Sequence, residues 1–528
     1  MATAMTASRS PFSLTAQRSP LAVPPVPGSR PEHRNLSHWM NRALEELATL
    51  RSSPDPDAVH DLRVAIRRCR SLAAVMEEVD PDASWPEMRK IARKLFRSLG
   101  ALRDTQVMED WIKKLAPEGD PLKAHLLPSL ESEEKQQAEA ALHVAEKFDE
   151  KNWAHLERRL KQRARLVPVG SLAAECLALE RYEEAKELHN RALRTEKSKP
   201  WHALRIGLKR FRYTVESLLP DHYAIWAEQL KRIQDLLGDI HDLDVLAELL
   251  EETKAPEIAQ SRQACQDKIT QERHDRLETY RQLTLGKTSL WLDWRHNLPH
   301  GERLEASAAA RLRATARASD SHPRRTNQVA RIATRLFDQL QRANAAPVFQ
   351  QAPMSRILRT AAKLHGVNSL AENPSSPKAA RKFLLSLPVP PNWTSDQWDL
   401  MSWVVRYHRG PEPKQKNGFA KLPEAHQTAV RALSGVLRLS RTLRKCGVET
   451  TRGLRLEDSA DALLLRVPGL PDSAEAAARL AAAKHLLEST LSKPLILKPI
   501  PKPEASPIPP QPSDLDPAPT PAPITTGV

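Results

Sequence analysis

The sequence predicts a mainly α-helical protein: one helical bundle built twice, then a second helical domain ending in a small α+β cap. Three observations carry this. Between about residues 33 and 295 apolar side chains recur at helical spacing, glycine is sparse and no strand-like alternation occurs. Within that span two blocks occur twice, in the same order. VHDLRVAIRRCR (59–70) is matched by WHALRIGLKRFR (201–212) at an offset of 142, and LGALRDTQV (99–107) by LGDIHDLDV (237–245) at an offset of 138. From residue 451 the pattern changes: GLRLEDSADALLLRV alternates and then runs apolar, which suits strands.

Taken in order, residues 1–32 carry Pro, Ser and scattered Arg without the apolar block of a secretory signal, and read as a disordered leader. The bundle domain covers 33–295, with repeats at about 33–150 and 180–295. Residues 296–324 read as a basic connector, in part helical, and 325–450 as the second helical domain. Residues 451–498 form the strand–strand–helix–strand cap, and the Pro-rich stretch 499–528 reads as a disordered tail. No run approaches the ~18 consecutive apolar residues of a spanning helix. The four cysteines, Cys69, Cys176, Cys265 and Cys446, form no CxxC or Cys/His cluster and fit a reducing, cytoplasmic compartment.

Charge is the informative total. Lys and Arg number 80 against 65 Asp and Glu, a net charge of +15. This balance points to a polyanionic partner: nucleic acid, an anionic membrane surface or polymeric phosphate. Aromatic residues make up only 5% of the chain, too few to favour a base-stacking single-strand binder.

The cations are patterned. In the first repeat Leu62, Ala65, Ile66, Cys69, Leu72, Ala73 and Met76 form an apolar helix face, while His60, Arg63, Arg67 and Arg70 fall at i, i+3, i+7 and i+10 on one stripe. The second repeat rebuilds the stripe as His202, Arg205, Lys209 and Arg212. Asp55 or Asp57, and Ser198, are candidate caps; Pro56 and Pro200 suit first-turn positions. A single basic helix is ordinarily a solvated face. Here like charges repel along each stripe, no Glu intervenes before Glu77, Glu78 or Glu216, and the device occurs twice, so an anion-binding face is expected. Lys90, Arg93, Lys94 and Arg97 precede the first LG and Lys231 and Arg232 the second; these suit either the same face or a solvated helix. Asp104 and Asp242 follow each LG at equal distance and are expected to pair with stripe arginines, fixing their forks; a helix cap or a surface acid is the alternative. Metal binding by His60, His202 and His241 is disfavoured because neighbouring guanidiniums would oppose a divalent cation. No cofactor is expected.

The two histidine–arginine motifs, each followed by an LG-x(3)-D block, resemble the two halves of a CHAD domain (conserved histidine α-helical domain) over about 33–295. The resemblance implies two pseudo-symmetric four-helix bundles whose basic helices line a central groove that binds inorganic polyphosphate, with an association with polyphosphate granules and with polyphosphate-processing modules. Carried over by position, it implies His60, Arg63, Arg67, Arg70, His202, Arg205, Lys209 and Arg212 as ligands, with Lys90, Lys94, Arg97, Lys231 and Arg232 as further contributors. Arg103 aligns with His241, a departure from strict repetition.

The segments NQVARIATRLFDQL (327–340), ILRTAAKLHGVN (357–368), WVVRYHRG (403–410) and GVLRLSRTL (435–443) resemble the HD-like C-terminal region of exopolyphosphatases and guanosine pentaphosphate phosphohydrolases. The resemblance implies metal ligands at Asn327, His365–Gly366 and Arg441, of which only His365 is a ligand type. Anion binding by His365, Arg406, His408 and Arg409 is the remaining expectation; a satisfied core histidine is the alternative for His365. No Gly-rich phosphate loop occurs. ESEEK (131–135) imitates the ExExK pattern of triphosphate tunnel enzymes, but its surroundings read as helix, not barrel strand. The expected function is therefore non-catalytic polyphosphate binding, with polyphosphate-metabolising enzymes as partners. Two other readings stay open: a phosphohydrolase of polyphosphate or a phosphorylated nucleotide, and a binder of nucleic acid or anionic surfaces.

Overall fold

The computed structural model describes residues 35–53, 55–320, 322–367, 376–414 and 417–501. The leader expected at 1–32, and the tail expected from 499 onward apart from its first three residues, lie outside them.

Among the described residues the chain is helical apart from one small sheet. The first half runs α1 (Leu36–Ser52), α2 (Pro56–Met76), α3 (Ser84–Leu115), α4 (Pro121–Glu146), α5 (Glu150–Arg163), α6 (Leu172–Ala192), α7 (Ser198–Leu218), α8 (Pro220–Glu252) and α9 (Ala259–Thr284). There follow α10 (Leu290–Asn297), α11 (Gly301–Ser319), α12 (Pro323–Arg342), α13 (Ala352–Leu364), α14 (Pro377–Ser386), α15 (Ser395–Tyr407), α16 (Asn417–Ala420) and α17 (Glu424–Lys445). The chain closes with β1 (Arg455–Asp458), β2 (Leu463–Pro468), α18 (Ala474–Glu488) and β3 (Leu495–Ile500). The strand–strand–helix–strand order is the one the alternating pattern predicts. Strand β1 pairs antiparallel with β2, with Leu456 opposite Leu465, and β2 pairs parallel with β3, with Leu465 opposite Leu497. The parallel pair needs a crossover, which α18 supplies. Pro499 and Ile500, expected as the start of the tail, complete β3.

The histidine–arginine helices α2 and α7 are both 21 residues long, and the helices carrying the LG blocks, α3 and α8, are 32 and 33 residues long. The apolar face read from sequence is the buried one: Leu62, Ala65, Ile66 and Cys69 in α2, and Trp201, Leu204, Leu208 and Phe211 in α7, are at most 1% exposed. Asp55, not Asp57, opens α2, its Oδ1 accepting the Ala58 N–H at 2.8 Å. Ser198 is not a cap. It is the first residue of α7, Lys197 holds the cap position with no side-chain bond, and Pro200 sits in the first turn. ESEEK lies inside α4, as its surroundings predict.

The chain divides into two compact units. The first comprises residues up to Leu72, Ile91–Lys161 and Leu188–Leu283; the second comprises Ala73–Lys90, Gln162–Glu187 and the chain from Thr284 on. In the first unit a core of Trp111, Ile112, Leu115, Leu122, Leu126, Leu243, Leu246, Leu250 and Ile269 ties α3 and α8 to α4 and α9. In the second unit a continuous core runs from Leu312 through α12, α13, α15 and α17 to the sheet. The segment expected as a connector is instead the structural helix α11, which buries Ser307, Ala308, Arg311, Leu312, Ala314 and Thr315. Its Ala-rich, basic composition reads as linker, yet its small residues suit close packing. Arg311 is fully buried there with Nε 2.9 Å from Glu180.

Candidate functional site

The site lies in the first unit and is assembled from both repeats. Helix α2 supplies Arg63 and Arg67, α3 supplies Arg103 and Asp104, α7 supplies Arg205 and Lys209, and α8 supplies Asp242. Their charges act on one another across the repeats. Burial and the cations Arg205, Arg67 and Arg63, against the pull of Asp242, lower the Lys209 ammonium to about 7. Arg63 and Arg205 are each lowered, chiefly by desolvation; Arg67 repels both, and Asp104 counters in both. The two cation rows therefore converge on one basin. Asp104 keeps solvent access, yet desolvation raises its carboxyl. The Asp104 carboxyl is thus reached by solvent while protein packs around it.

Within this basin five cations (Arg63, Arg67, Arg103, Arg205, Lys209) meet two carboxylates (Asp104, Asp242). Neither carboxylate makes an ion pair within 4 Å or a hydrogen bond among the described residues, so the expected pairing with the arginine forks is not made. Burial raises Asp242 to about 6, with Asp239 and Asp104 adding to the effect and Arg205 and Lys209 opposing it. The two acids act as longer-range counter-charges that leave the guanidinium edges unoccupied. Arg63 Nη1, Arg67 Nε and Arg205 Nε are enclosed without a hydrogen-bond partner, a cost that isolated folding would select against.

Aromatic rings place several of the forks. Arg63 and Arg70 lie over the Phe96 ring, 5.4 and 4.3 Å from its centre, and Arg67 lies 5.5 Å from that of Tyr213. Sequence reasoning missed Phe96 and Tyr213; their place among the basic residues of α3 and α7 was the available signal. Gly100 is explained by the same packing: a Cβ there would stand 3.3 Å from Arg63 Nη1, whereas one at its counterpart Gly238 would meet nothing within 4 Å. At the outer end Arg68 pairs with Glu216 at 2.6 Å, and Arg212 donates to the Tyr223 hydroxyl at 3.5 Å.

The histidines differ. His60 is exposed on α2. His202 Nδ1 lies 3.2 Å from His241 Nδ1, with ring centres 4.5 Å apart, so one ring donates and the other accepts. Desolvation, Arg205, His202 and Lys209 hold His241 at about 4, and desolvation, Arg205 and Lys209 lower His202. At neutral pH these rings are uncharged. Arg103, the counterpart of His241, instead adds a fixed charge beside Arg63 and Asp104.

Lys94 and Arg97 on α3 and Lys231 and Arg232 on α8 are exposed and do not number among the charges that shift Arg63, Arg205 or Lys209. Lys231 acts on Asp235, which also feels Arg212, and so extends the basic row along α8. Lys90 is exposed and falls within the second unit.

In the second unit the expected anion residues divide. His365, His408 and Arg409 line a common cavity of about 330 Å³. Arg406 does not; its guanidinium turns onto the Tyr407 ring, 5.3 Å from the centre. Asn327 lines a different cavity, while its neighbour Thr326 faces His365 and Gly366. No group of three or more His, Cys, Asp or Glu positioned to hold a metal occurs among the described residues.

Residues 35–251 match the family model of the CHAD domain, and the chain carries a CHAD domain over this span. It is similar to the crystal structure of the CHAD domain from the plant Ricinus communis, at 24% identity and a TM-score of 0.35, covering 47% of this chain and 88% of that one. A search of curated proteins gave no match. No helix among the described residues is long and apolar enough to cross a membrane.

Proposed function

We propose that the protein binds linear inorganic polyphosphate in the basin formed by α2, α3, α7 and α8, as a non-catalytic targeting or regulatory component of polyphosphate metabolism. One observation carries the reading: two matched rows of cations act on the same space, outnumber the nearby acids and keep enclosed donors without partners. Arginine forks give paired hydrogen bonds to phosphate oxygens, and the lysine acts as a movable point charge. A chain of singly charged phosphates suits a long row of cations better than one compact anion does. In this reading the repeats are two pseudo-symmetric four-helix bundles, and the helices from α12 onward correspond to an HD-like region whose metal ligands have been replaced. Polyphosphate-metabolising enzymes and a cytoplasmic, granule-associated setting belong to the same proposal.

The test is a titration with polyphosphates of defined length. Binding is expected to tighten with chain length. Arg63→Ala/Arg205→Ala is expected to weaken it at least ~100-fold with an unchanged circular dichroism spectrum, since each charge-assisted contact contributes about 1.5–3 kcal/mol. Affinity independent of chain length overturns the reading. Efficient displacement by duplex DNA or anionic vesicles would favour the broader polyanion binder. Release of orthophosphate with added Mg²⁺ or Mn²⁺ would favour the hydrolase.

A further inference from the structure

The second unit holds a cluster of cations that polyphosphate binding by α2 and α7 does not use. Its cavity of about 330 Å³ is lined by Arg325, Arg409, Arg441, Arg444 and Lys445, with Asp320 as the one carboxylate among the described lining residues. None of the five cations makes an ion pair or a side-chain hydrogen bond among the described residues, and Arg409 Nε is enclosed without a partner. They repel one another: desolvation, Arg409 and Arg444 lower Arg441, and Arg441, then desolvation, lowers Lys445. Asp320 is partly engaged, its Oδ1 accepting the His322 N–H at 2.8 Å. Arg325 and Lys445 are exposed and Arg409, Arg441 and Arg444 partly buried; among the described residues this concentration of unpaired positive charge suits an anion supplied from outside the chain.

Two histidines line the cavity, His408 buried and His365 partly buried. His365 Nδ1 donates to the Ala362 carbonyl at 2.8 Å and His408 Nδ1 to the Val405 carbonyl at 2.6 Å. Both rings are thereby fixed in one tautomer, with Nε2 as the remaining polar atom. Burial lowers both, His365 to about 4, and Arg441 and Arg409 add to the effect in each. Two neutral imidazoles do not make a metal site here: no group of three His, Cys, Asp or Glu is placed to hold a metal among the described residues, Asp320 included, and Gly366 leaves no space for another ligand. A Cβ at Gly366 would lie 2.5 Å from Thr326 Oγ1 and 2.9 Å from Asp320 Oδ1, so a carboxylate side chain there has no room. The remaining chemistry is that of a compact anion, held by the arginine forks with its protonated oxygen able to donate to an imidazole Nε2.

We propose that this cavity, lined by Arg325, Arg409, Arg441, Arg444 and Lys445, is a separate metal-free site for a compact, multiply charged phosphoanion of pyrophosphate size. The site is distinct from the α2/α7 basin and does not depend on it. Inorganic pyrophosphate and the diphosphate of a nucleotide share this chemistry. Among the described lining residues no aromatic side chain apart from the histidines is present to stack a base, which favours the inorganic anion.

The experiment uses the full chain carrying Arg63→Ala/Arg205→Ala, so that the basin is silenced, titrated by calorimetry with pyrophosphate, orthophosphate and ADP. One pyrophosphate is expected to bind per chain, more tightly than orthophosphate. Arg441→Gln or Arg409→Gln should weaken it roughly tenfold or more, as loss of a charge-assisted contact does, while Arg406→Gln, outside the cavity, leaves it unchanged. Arg441→Gln should not lower the melting temperature of the unliganded protein, because a repelling charge is removed; this separates lost binding from lost folding. ADP binding as tightly as pyrophosphate would identify a nucleotide as the source of the diphosphate. The proposal is overturned by absence of pyrophosphate binding, by binding insensitive to both arginine variants, or by Zn²⁺ binding that His365→Ala abolishes and pyrophosphate does not oppose. Because the basin is disabled throughout, these outcomes are independent of long-chain binding by the native protein.

Discussion

At the scale of single residues the basin is built by choices that work against the stability of the unliganded chain. Arg63, Arg67 and Arg205 retain enclosed nitrogen atoms without partners, and Asp104 and Asp242 stand off from the forks they were expected to clasp. Gly100 is the residue-scale test of this arrangement. Alanine is a better helix former than glycine by about 0.5–1 kcal/mol, so Gly238→Ala should stabilise the protein by roughly that amount in denaturant titrations without changing polyphosphate affinity. Gly100→Ala should gain less and should weaken binding, because its Cβ lies 3.3 Å from Arg63 Nη1. Equal behaviour of the two variants would show that the fork does not need that space.

At the scale of the element, α7 and α8 carry a titration that couples binding to protons. In the unliganded protein Lys209 titrates at about 7, Asp242 at about 6 and His241 at about 4. A polyanion raises all three, so binding takes up protons, and affinity should rise as pH falls from about 8 to about 6. Calorimetry in buffers of different ionisation enthalpy reads the uptake directly; proton release on binding would contradict the assignment. Stability follows a separate sign. The folded Lys209 value lies below its unfolded one, so between about 7 and about 10 the unfolded chain binds more protons and stability rises with pH. Lys209→Met should therefore stabilise the unliganded protein most below about pH 7, with the gain fading toward about pH 10 in chemical denaturation. The converse holds for Asp242, whose raised folded value makes stability fall as pH rises from about 4 to about 6.

At the scale of the whole molecule the proposed association with polyphosphate is electrostatic, with each neutralised phosphate releasing bound counter-ions. Long-chain affinity should fall steeply and linearly in log–log form with added salt, and Lys231→Ala, at the exposed end of the row, should reduce that slope by about one unit of charge without abolishing binding. An unchanged slope would place Lys231 outside the bound path. The division into two compact units also belongs to this scale. Helices α2, α3, α5, α6 and α9 contribute residues to both units, so the extent of each unit does not follow the order of segments along the chain.

The sequence by itself determined the helices, the two histidine–arginine stripes, the order of the terminal sheet and the presence of a CHAD domain. Each of these is written in short-range periodicity, in capping residues or in a repeated motif, and a helix fixes which of its residues share a face. Only the tertiary structure decided that Arg63 and Arg67 confront Arg205 and Lys209, that Phe96 and Tyr213 lie beneath the forks, that Arg406 rests on Tyr407 outside the cavity that Arg409 lines, and that α11 is core. These depend on which faces of distant segments meet. That outcome is set by packing and by the mutual shifting of charges through a shared low-dielectric space, neither of which has a period along the chain.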